Sequence, residues 1–266
     1  FSGGVFLNSV IVGKAKEWFP QIEKIYVTPS PHDGGLTAGA AQFMYHHVLN
    51  NPKIIWDDCY SPYQGMTYSK KDVLSATNKL KDKINYEFCN DDYVIELLNA
   101  QNIIMVHNGR DEIGRRSLGN RSILADPRNI EMKNKINERV KHRMWHRPYA
   151  PSVLKEEVSN WFVSDVDSPY MSFVVKFKDE IRDKIPAVTH VDGSARLQTV
   201  TEKTNKWYYN FLKKWQAKTG IPILLNTSAN DNEPVVSSPE HALNTFLRTE
   251  LDYLYFPEYE ILVSKK

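Results

Sequence analysis

The chain contains the stretch IIMVHNGRDEIGRRSLGNRS at residues 103–122. Its first four residues are apolar and predict a buried strand, and four arginines, three glycines and two serines follow them. Arginine presents planar pairs of donors that match phosphate oxygens, and glycine lets the backbone approach a ligand. The stretch therefore predicts a strand that ends in a phosphate-binding loop. The alternative is a solvated basic turn, but an exposed charged turn has no need of the interleaved glycines.

Helices and strands alternate on both sides of this stretch. Before it, helices are predicted over residues 8–19 and 37–49, a strand over 24–28 and an irregular linker over 50–66. Other helices are predicted over residues 70–83, with Ser69 as N-cap, and over 91–100, 131–143, 204–219 and 239–248, and other strands over 171–177 and 221–225. This order predicts an α/β or α+β domain after the linker.

Polar side chains also cluster in three other segments. They are Lys141, Arg143 and Arg147 near a predicted helix end, Arg196 in a turn with Gly and Ser, and Asn226, Ser228 and Asn230 after a predicted strand. Each group alone has an ordinary explanation, because basic residues complement a helix dipole and Asn and Ser are common in turns. Ligands of α/β proteins bind where strands end, so together these segments predict one nucleotide site.

Two glycine-containing turns precede helices near the start of the chain. Gly3 and Gly4 precede the helix predicted over 8–19, a position where backbone N–H groups bind phosphate. Asp33, followed by two glycines, precedes the helix predicted over 37–49. Its carboxylate can either ligate a metal or cap the helix, and the residue pattern alone favours the cap.

The bulk composition excludes several classes of protein. A formal net charge of +2 over 266 residues gives no overall field for binding nucleic acid. The two cysteines, Cys59 and Cys89, form no CxxC pattern and are typical of reduced thiols. No apolar run predicts a membrane span and no secretory signal is visible, so we expect a cytoplasmic location, in the host if the source is viral.

The motifs together resemble the carbamoyltransferase family that includes the nodulation-factor and aminoglycoside-antibiotic O-carbamoyltransferases. The resemblance runs from Gly3 to about Asp252. Its most specific parts are GRDEIGRRSLGNRSILADPRN (109–129), RPYAPSVL (147–154), KIPAVTHVDGSARLQTV (184–200) and GIPILLNTSAN (220–230). The chain departs from the family pattern at positions that remove no expected phosphate ligand, namely Arg115, Met144, Ala229 and Asn232.

The resemblance implies an α/β fold with two parts. Residues 1–62 match the C-terminal remnant of an actin-like ATPase (ASKHA, TsaD-like) domain, in which Gly3 and Gly4 fall on a nucleotide-binding turn and Asp33 on a ligand of a catalytic metal, usually iron. Residues 63–266 match a YrdC-like mixed α/β domain. There, the positions expected to hold carbamoyl phosphate and ATP are Arg116, Lys141, Arg147 and Ser228, with Arg121, Arg196, Asn226 and Asn230 as neighbours.

The function implied by the resemblance is an ATP-dependent carbamoyltransferase. Such an enzyme activates carbamoyl phosphate with ATP and Mg²⁺ to carbamoyl-adenylate, for transfer to a hydroxyl or similar group of a small-molecule acceptor. Fe²⁺ or another divalent metal would belong to the actin-like part. The abrupt start at Phe1 predicts a fragment, whose partner is an N-terminal half in the same or a separate chain.

A second interpretation is a non-catalytic YrdC-like module that binds a nucleotide or RNA. RNA binding calls for a broad basic stripe with aromatic residues, whereas the basic residues here cluster in glycine-containing loops. We therefore expect no nucleic-acid partner and no membrane partner. The identity of the acceptor does not follow from the sequence, because its site would lie in the other half.

Overall fold

One mixed sheet organises the structure, a computed structural model that describes residues 1–53 and 61–266. Its strands are β1 (Ile84–Phe88), β2 (Ile104–His107), β3 (Arg121–Ala125), β4 (Ala150–Leu154), β5 (Phe173–Lys176), β6 (Ser194–Val200), β7 (Ile223–Ser228), β8 (Tyr253–Phe256) and β9 (Ile261–Lys265). Within the described residues they lie in the order β1-β9-β8-β2-β3-β7-β4-β6-β5. The pairs β2/β8 and β4/β6 are parallel and the others antiparallel.

Helices flank the sheet, and polar side chains fix where several of them begin. They are α1 (Ser9–Trp18), α2 (Leu36–Phe43), α3 (Lys70–Lys79), α4 (Asp91–Asn99), α5 (Glu131–Arg139), α6 (Val158–Trp161), α7 (Lys206–Thr219) and α8 (Pro239–Arg248). A π-helical turn, Met44–Val48, continues α2. Ser69 caps α3 in a capping box with Asp72, as predicted, and Asn90 caps α4.

Apolar side chains cover both faces of the sheet, which gives a three-layer α/β architecture. On one face α3, α5 and α8 contribute Val73, Ile136 and Phe246 to the core, and on the other α4 and α7 contribute Leu98 and Trp215. Alternation along β7 sends Leu225 into the first layer and Leu224 into the second. Burial of each such side chain contributes about 1.5–3 kcal/mol. The predicted α/β class is therefore confirmed.

The N-terminal segment, residues 1–53, packs against the edge of this sheet through α1. A Cβ added at Gly13 would lie 2.3 Å from the carbonyl oxygen of Val174, so glycine is required where α1 approaches β5. In contrast, α2 and the π-helical turn after it bury none of their residues. The predicted boundary between domains at residues 62 and 63 stays a prediction.

The predicted elements differ from the structure in identifiable places. The strand predicted over 24–28 was wrong: the segment pairs with no strand in the described part of the chain, and only Val27 enters the core. The helix predicted over 70–83 ends at Lys79, and β1 follows it. Cys59 and the middle of the predicted linker lie outside the described residues, while Cys89 is a free thiol. In the described ranges, no helix has the length and apolarity needed to cross a membrane.

Candidate active site

The loop between β2 and β3, residues 108–120, is held in shape by Arg121. This side chain is 1% exposed, and each of its five N–H groups has a partner. The guanidinium donates to the carbonyl oxygens of Asn108 (2.6 Å), Asn120 (3.0 Å), Gly109 (3.1 Å) and Ser237 (3.3 Å), and it pairs with the Asp111 carboxylate. Arg121 therefore has no free donor for a ligand and acts on the loop itself. We call residues 108–120 the arginine loop.

Glu112 fixes the second half of the arginine loop from within. Its Oε1 accepts hydrogen bonds from the backbone N–H groups of Leu118 (2.7 Å), Asn120 (2.8 Å) and Arg121 (3.3 Å). Desolvation by burial raises the pKa of Glu112, against the effect of these donors. A carboxylate thus gathers three backbone donors and leaves Arg116 at the outer turn of the loop.

Lys141 fixes a second loop at the end of β7. Its ammonium group, on a side chain that is 3% exposed, donates to the carbonyl oxygen of Asn230 (2.8 Å), the Asn230 Oδ1 (2.8 Å) and oxygens of Ser228. The Ser228 hydroxyl donates to the same Oδ1 (2.7 Å). Burial, and then the charge of Arg143, lower the pKa of Lys141 to about 7. Three residues that the sequence separates by up to 89 positions therefore meet at one point.

Four arginines converge beside these loops, with Arg196 at the centre. Burial, and then the charges of Arg116, Arg143 and Arg147, lower the pKa of Arg196 to about 9. Its buried Nε has no hydrogen-bond partner among the described residues. Arg116 donates to the carbonyl oxygen of Leu7 (2.9 Å), which leaves its remaining N–H groups for other partners. We call these four arginines and Lys141 the cationic cluster.

A buried polar layer lies in the sheet below the cationic cluster. The Asn226 side-chain amide donates to Gln198 Oε1 (2.8 Å), Ser152 Oγ (3.1 Å) and the Ser117 carbonyl (3.2 Å). In the described part of the chain, Asn226 Oδ1 and Ser117 Oγ are buried without a hydrogen-bond partner. Such orphaned groups are rare in folded proteins and are a mark of a site that a polar ligand or water completes.

The segment that carries Arg143 and Arg147 is anchored by Asn137, a residue of α5. Asn137 is 1% exposed, and its Nδ2 donates to the carbonyl oxygens of Trp145 (3.2 Å) and Arg147 (3.1 Å). Its Oδ1 accepts from Arg143 Nε (2.7 Å) and from the Tyr149 hydroxyl (2.7 Å). A cavity of about 930 Å³ opens here, lined in part by Arg143, Trp145 and Arg147.

The N-terminal segment forms most of a second cavity, of about 1220 Å³, to which Gln64 and Ile113, a residue of the arginine loop, also contribute. Gly3 and Asp33 line it, and Gly4 begins the adjoining 3₁₀ turn Gly4–Leu7. Asp33 is exposed, and no group of three or more His, Cys, Asp or Glu side chains in residues 1–53 and 61–266 is placed to hold a metal ion. The described residues alone therefore do not fit a metal site at Asp33, and we derive no chemical step from one.

The structure thus brings together most of the residues singled out from the sequence. Arg116, Arg147 and Arg196 converge, and Lys141 contacts Ser228 and Asn230. Asn226 lies in the buried layer beneath them, whereas Gly3 and Asp33 line the second cavity and Gly4 begins the turn beside it. Sequence reasoning missed Asn137, since a polar residue in a helix of mixed composition gives no signal that it is buried.

Comparison with known proteins agrees with these motifs. A family model described as carbamoyltransferase C-terminus matches residues 95–264. The chain belongs to the carbamoyltransferase family. Nodulation protein NolNO of Sinorhizobium fredii is 40% identical over 273 residues, which cover 100% of this chain and 39% of that protein. Nodulation protein NolO of Bradyrhizobium diazoefficiens is 39% identical over 95% of this chain and 47% of its own length.

Other relatives of this carbamoyltransferase-family chain are found outside the nodulation proteins. An uncharacterised protein of Methanocaldococcus jannaschii is 39% identical over 100% of this chain and 44% of its own. The chain thus spans less than half the length of these relatives. A crystal structure of full-length HypF in the phosphate- and nucleotide-bound form matches 88% of this chain and 30% of that one, at 12% identity and a TM-score of 0.39, which is too low to support an argument.

Proposed function

We propose that this chain forms carbamoyl-adenylate from carbamoyl phosphate and ATP, for transfer to a hydroxyl or similar group of a small-molecule acceptor. The observation that carries the proposal is Arg196, a guanidinium with a buried Nε that lacks a partner among the described residues and that has three further arginines around it. Family membership supplies the carbamoyl chemistry, and this cluster supplies a site for phosphate groups.

Electrostatics explains why the cationic cluster suits these substrates. Taking a charged side chain out of water costs several kcal/mol unless an opposite charge compensates it. Arg196 has three like charges as neighbours, whereas Lys141 has two and is also near the carboxylate of Asp231. Carbamoyl phosphate and the triphosphate of ATP each bring several negative oxygens, and arginine binds such oxygens through pairs of parallel hydrogen bonds. Substrate binding would therefore compensate a charge that the protein leaves uncompensated.

The proposed reaction proceeds in two steps. Water attacks the phosphorus of carbamoyl phosphate and the bond from phosphorus to the carbamoyl oxygen breaks, which gives carbamate and inorganic phosphate. A carbamate oxygen then attacks the α-phosphorus of ATP, the bond to the β-phosphate oxygen breaks, and pyrophosphate leaves. Both steps need positioning and charge neutralisation rather than a covalent intermediate on the protein. Mg²⁺ would enter with ATP as its counterion.

Within this scheme we assign roles by position. Arg116 would hold carbamoyl phosphate directly and Lys141 would act on it through its charge, since the N–H groups of Lys141 are committed to Ser228 and Asn230. Arg147 and Ser228 would contact the phosphates of ATP. Arg196, between Arg116 and Arg147, would face both substrates. Lys141 also fixes Ser228 and Asn230, so it both orders the loop and supplies charge. Arg121 contributes indirectly, because its donors are committed to the arginine loop and its flanks.

Pyrophosphate release tests the proposal. The 266-residue chain is incubated with ATP and Mg²⁺, with and without carbamoyl phosphate, and pyrophosphate is measured by an enzyme-coupled assay. We expect release that depends on carbamoyl phosphate and that Arg196→Met reduces at least tenfold. Release of equal size without carbamoyl phosphate, or none from protein that binds ATP, would contradict the proposal.

A further inference from the structure

Trp145 is exposed at a place where its exposure needs an explanation. Its side chain is 72% exposed, whereas Trp161 and Trp215 are 8% and 0% exposed. It adjoins the cationic cluster, two residues before Arg147, on the segment that also carries Arg143. A large aromatic ring presented to solvent beside several cations can serve as a binding surface, because Trp combines a large apolar area with a polar N–H group.

The backbone that presents this ring is fixed. Asn137 donates to the carbonyl oxygens of Trp145 (3.2 Å) and Arg147 (3.1 Å), and the Arg143 N–H donates back to the Asn137 carbonyl (3.0 Å). Because Asn137 is buried in α5, the segment is held against a helix of the core. The backbone at Trp145 is therefore held in place before any ligand arrives, which lowers the entropic cost of binding.

The cavity beside Trp145 is large enough for a nucleotide base. Its volume is about 930 Å³, and Trp145, Arg143 and Arg147 line it together with the carboxylates of Glu131 and Glu138. The same two arginines lie close enough to Lys141 and Arg196 for their charges to lower both pKa values. A nucleotide whose phosphates contact the cationic cluster could thus place its base in this cavity, beside the exposed ring of Trp145.

We infer that Trp145 is the surface on which the purine base of the nucleotide stacks. The inference rests on the proposed function, since it assumes that the cationic cluster binds the phosphates of a nucleotide. The indole ring offers a flat π-face to the base, while Arg147 holds the phosphate side. Stacking of this kind tolerates different bases, so the contact contributes affinity for a nucleotide more than discrimination among bases.

Calorimetric titration with two ligands separates the base from the phosphates. ATP and inorganic tripolyphosphate, each with Mg²⁺ and without carbamoyl phosphate, are titrated into the wild-type chain and into Trp145→Ala. We expect Trp145→Ala to weaken ATP binding by roughly tenfold to a hundredfold and to leave tripolyphosphate binding unchanged. Trp145→Phe keeps a stacking ring and should stay within about threefold of wild type for ATP.

The controls make each outcome decisive. Trp18→Ala removes another exposed tryptophan, 52% exposed and located on α1, and should change neither affinity. Equal weakening of ATP and tripolyphosphate by Trp145→Ala, with unchanged circular dichroism and Tm, would overturn the inference, as would unchanged ATP binding. A wild-type chain that binds neither ligand would instead overturn the proposed function on which the inference rests.

Discussion

The ammonium group of Lys141 lies 2.8 Å from both the backbone carbonyl oxygen and the side-chain Oδ1 of Asn230. This contact joins the end of α5 to the loop after β7, so one buried cation orders two segments of the cationic cluster. The acceptors are uncharged, and the neighbouring Arg143 disfavours the positive charge. Lys141 is consequently held by uncharged oxygens, and the charge of Asp231 offsets only part of the effect of burial and of Arg143.

The stability of the ligand-free chain should rise with pH because of Lys141. Its pKa is lowered to about 7 in the folded state, against an ordinary value of 10.5, so the unfolded chain binds the extra proton between these values. The free energy of unfolding therefore increases from about pH 7 towards pH 10. Below pH 7 Lys141 is protonated in both the folded and the unfolded chain, so the destabilisation caused by its buried charge no longer changes with pH. Urea unfolding at pH 7, 8 and 9 measures the slope.

Lys141→Met is the matched variant for that measurement, because it keeps the length of the side chain and removes the titrating group. We expect a clearly smaller rise of stability with pH in this variant. A slope equal to that of wild type would show that Lys141 keeps an ordinary pKa in the folded chain.

Arg196→Met should stabilise the chain and weaken its binding of ATP. The substitution removes a guanidinium whose neighbours are three like charges, and a buried ion without an opposite charge costs several kcal/mol of desolvation, so we expect a gain of at least about 1 kcal/mol. The same change removes a proposed phosphate contact. Urea unfolding and calorimetric titration of ATP measure the two effects.

Arg115→Met serves as the control for this pair of measurements. Arg115 is exposed and lies on the arginine loop, so its loss should change stability by less than about 0.5 kcal/mol. If Arg196→Met loses more than about 1 kcal/mol of stability, then groups of opposite charge already compensate the Arg196 guanidinium in the ligand-free chain. That result would contradict an anion site at Arg196.

Arg121→Met should have the opposite effect on stability. Its guanidinium pairs with Asp111 and satisfies four carbonyl oxygens, and breaking a buried ion pair by removing one partner costs about 3–5 kcal/mol. Arg110→Met, on the exposed part of the same loop, provides the comparison. Arg121→Met with full stability and weakened ATP binding would restore Arg121 as a direct ligand.

The sequence predicted the helices better than the strands, and the reason is visible in β6. This strand alternates Ala195 and Leu197, which face the core, with Arg196 and Gln198, which face the polar layer. Buried polar side chains give the same pattern as a solvated loop, so the sequence predicts a turn there. Strand β3 was missed for the same reason, because it begins with the buried Arg121 and Ser122.

The residue types of the site could be predicted from the sequence, but the role of each residue could not. Clustered arginine and glycine indicated phosphate binding, and Arg116, Arg147 and Arg196 do converge. Nothing in the sequence distinguishes Arg121, whose donors are all used, from Arg196, whose Nε lacks a partner among the described residues. That difference depends on which carbonyl oxygens the folded loop turns inward.

Direct detection of carbamoyl-adenylate tests the central claim. The chain is mixed with carbamoyl phosphate labelled with ¹³C at the carbonyl carbon, ATP and Mg²⁺, then quenched and analysed by mass spectrometry. We expect labelled carbamoyl-adenylate together with equal amounts of pyrophosphate and inorganic phosphate, and neither the adenylate nor pyrophosphate from Arg196→Met in comparable quantity. Protein that binds both substrates yet leaves the label entirely in carbamoyl phosphate would contradict the proposed function.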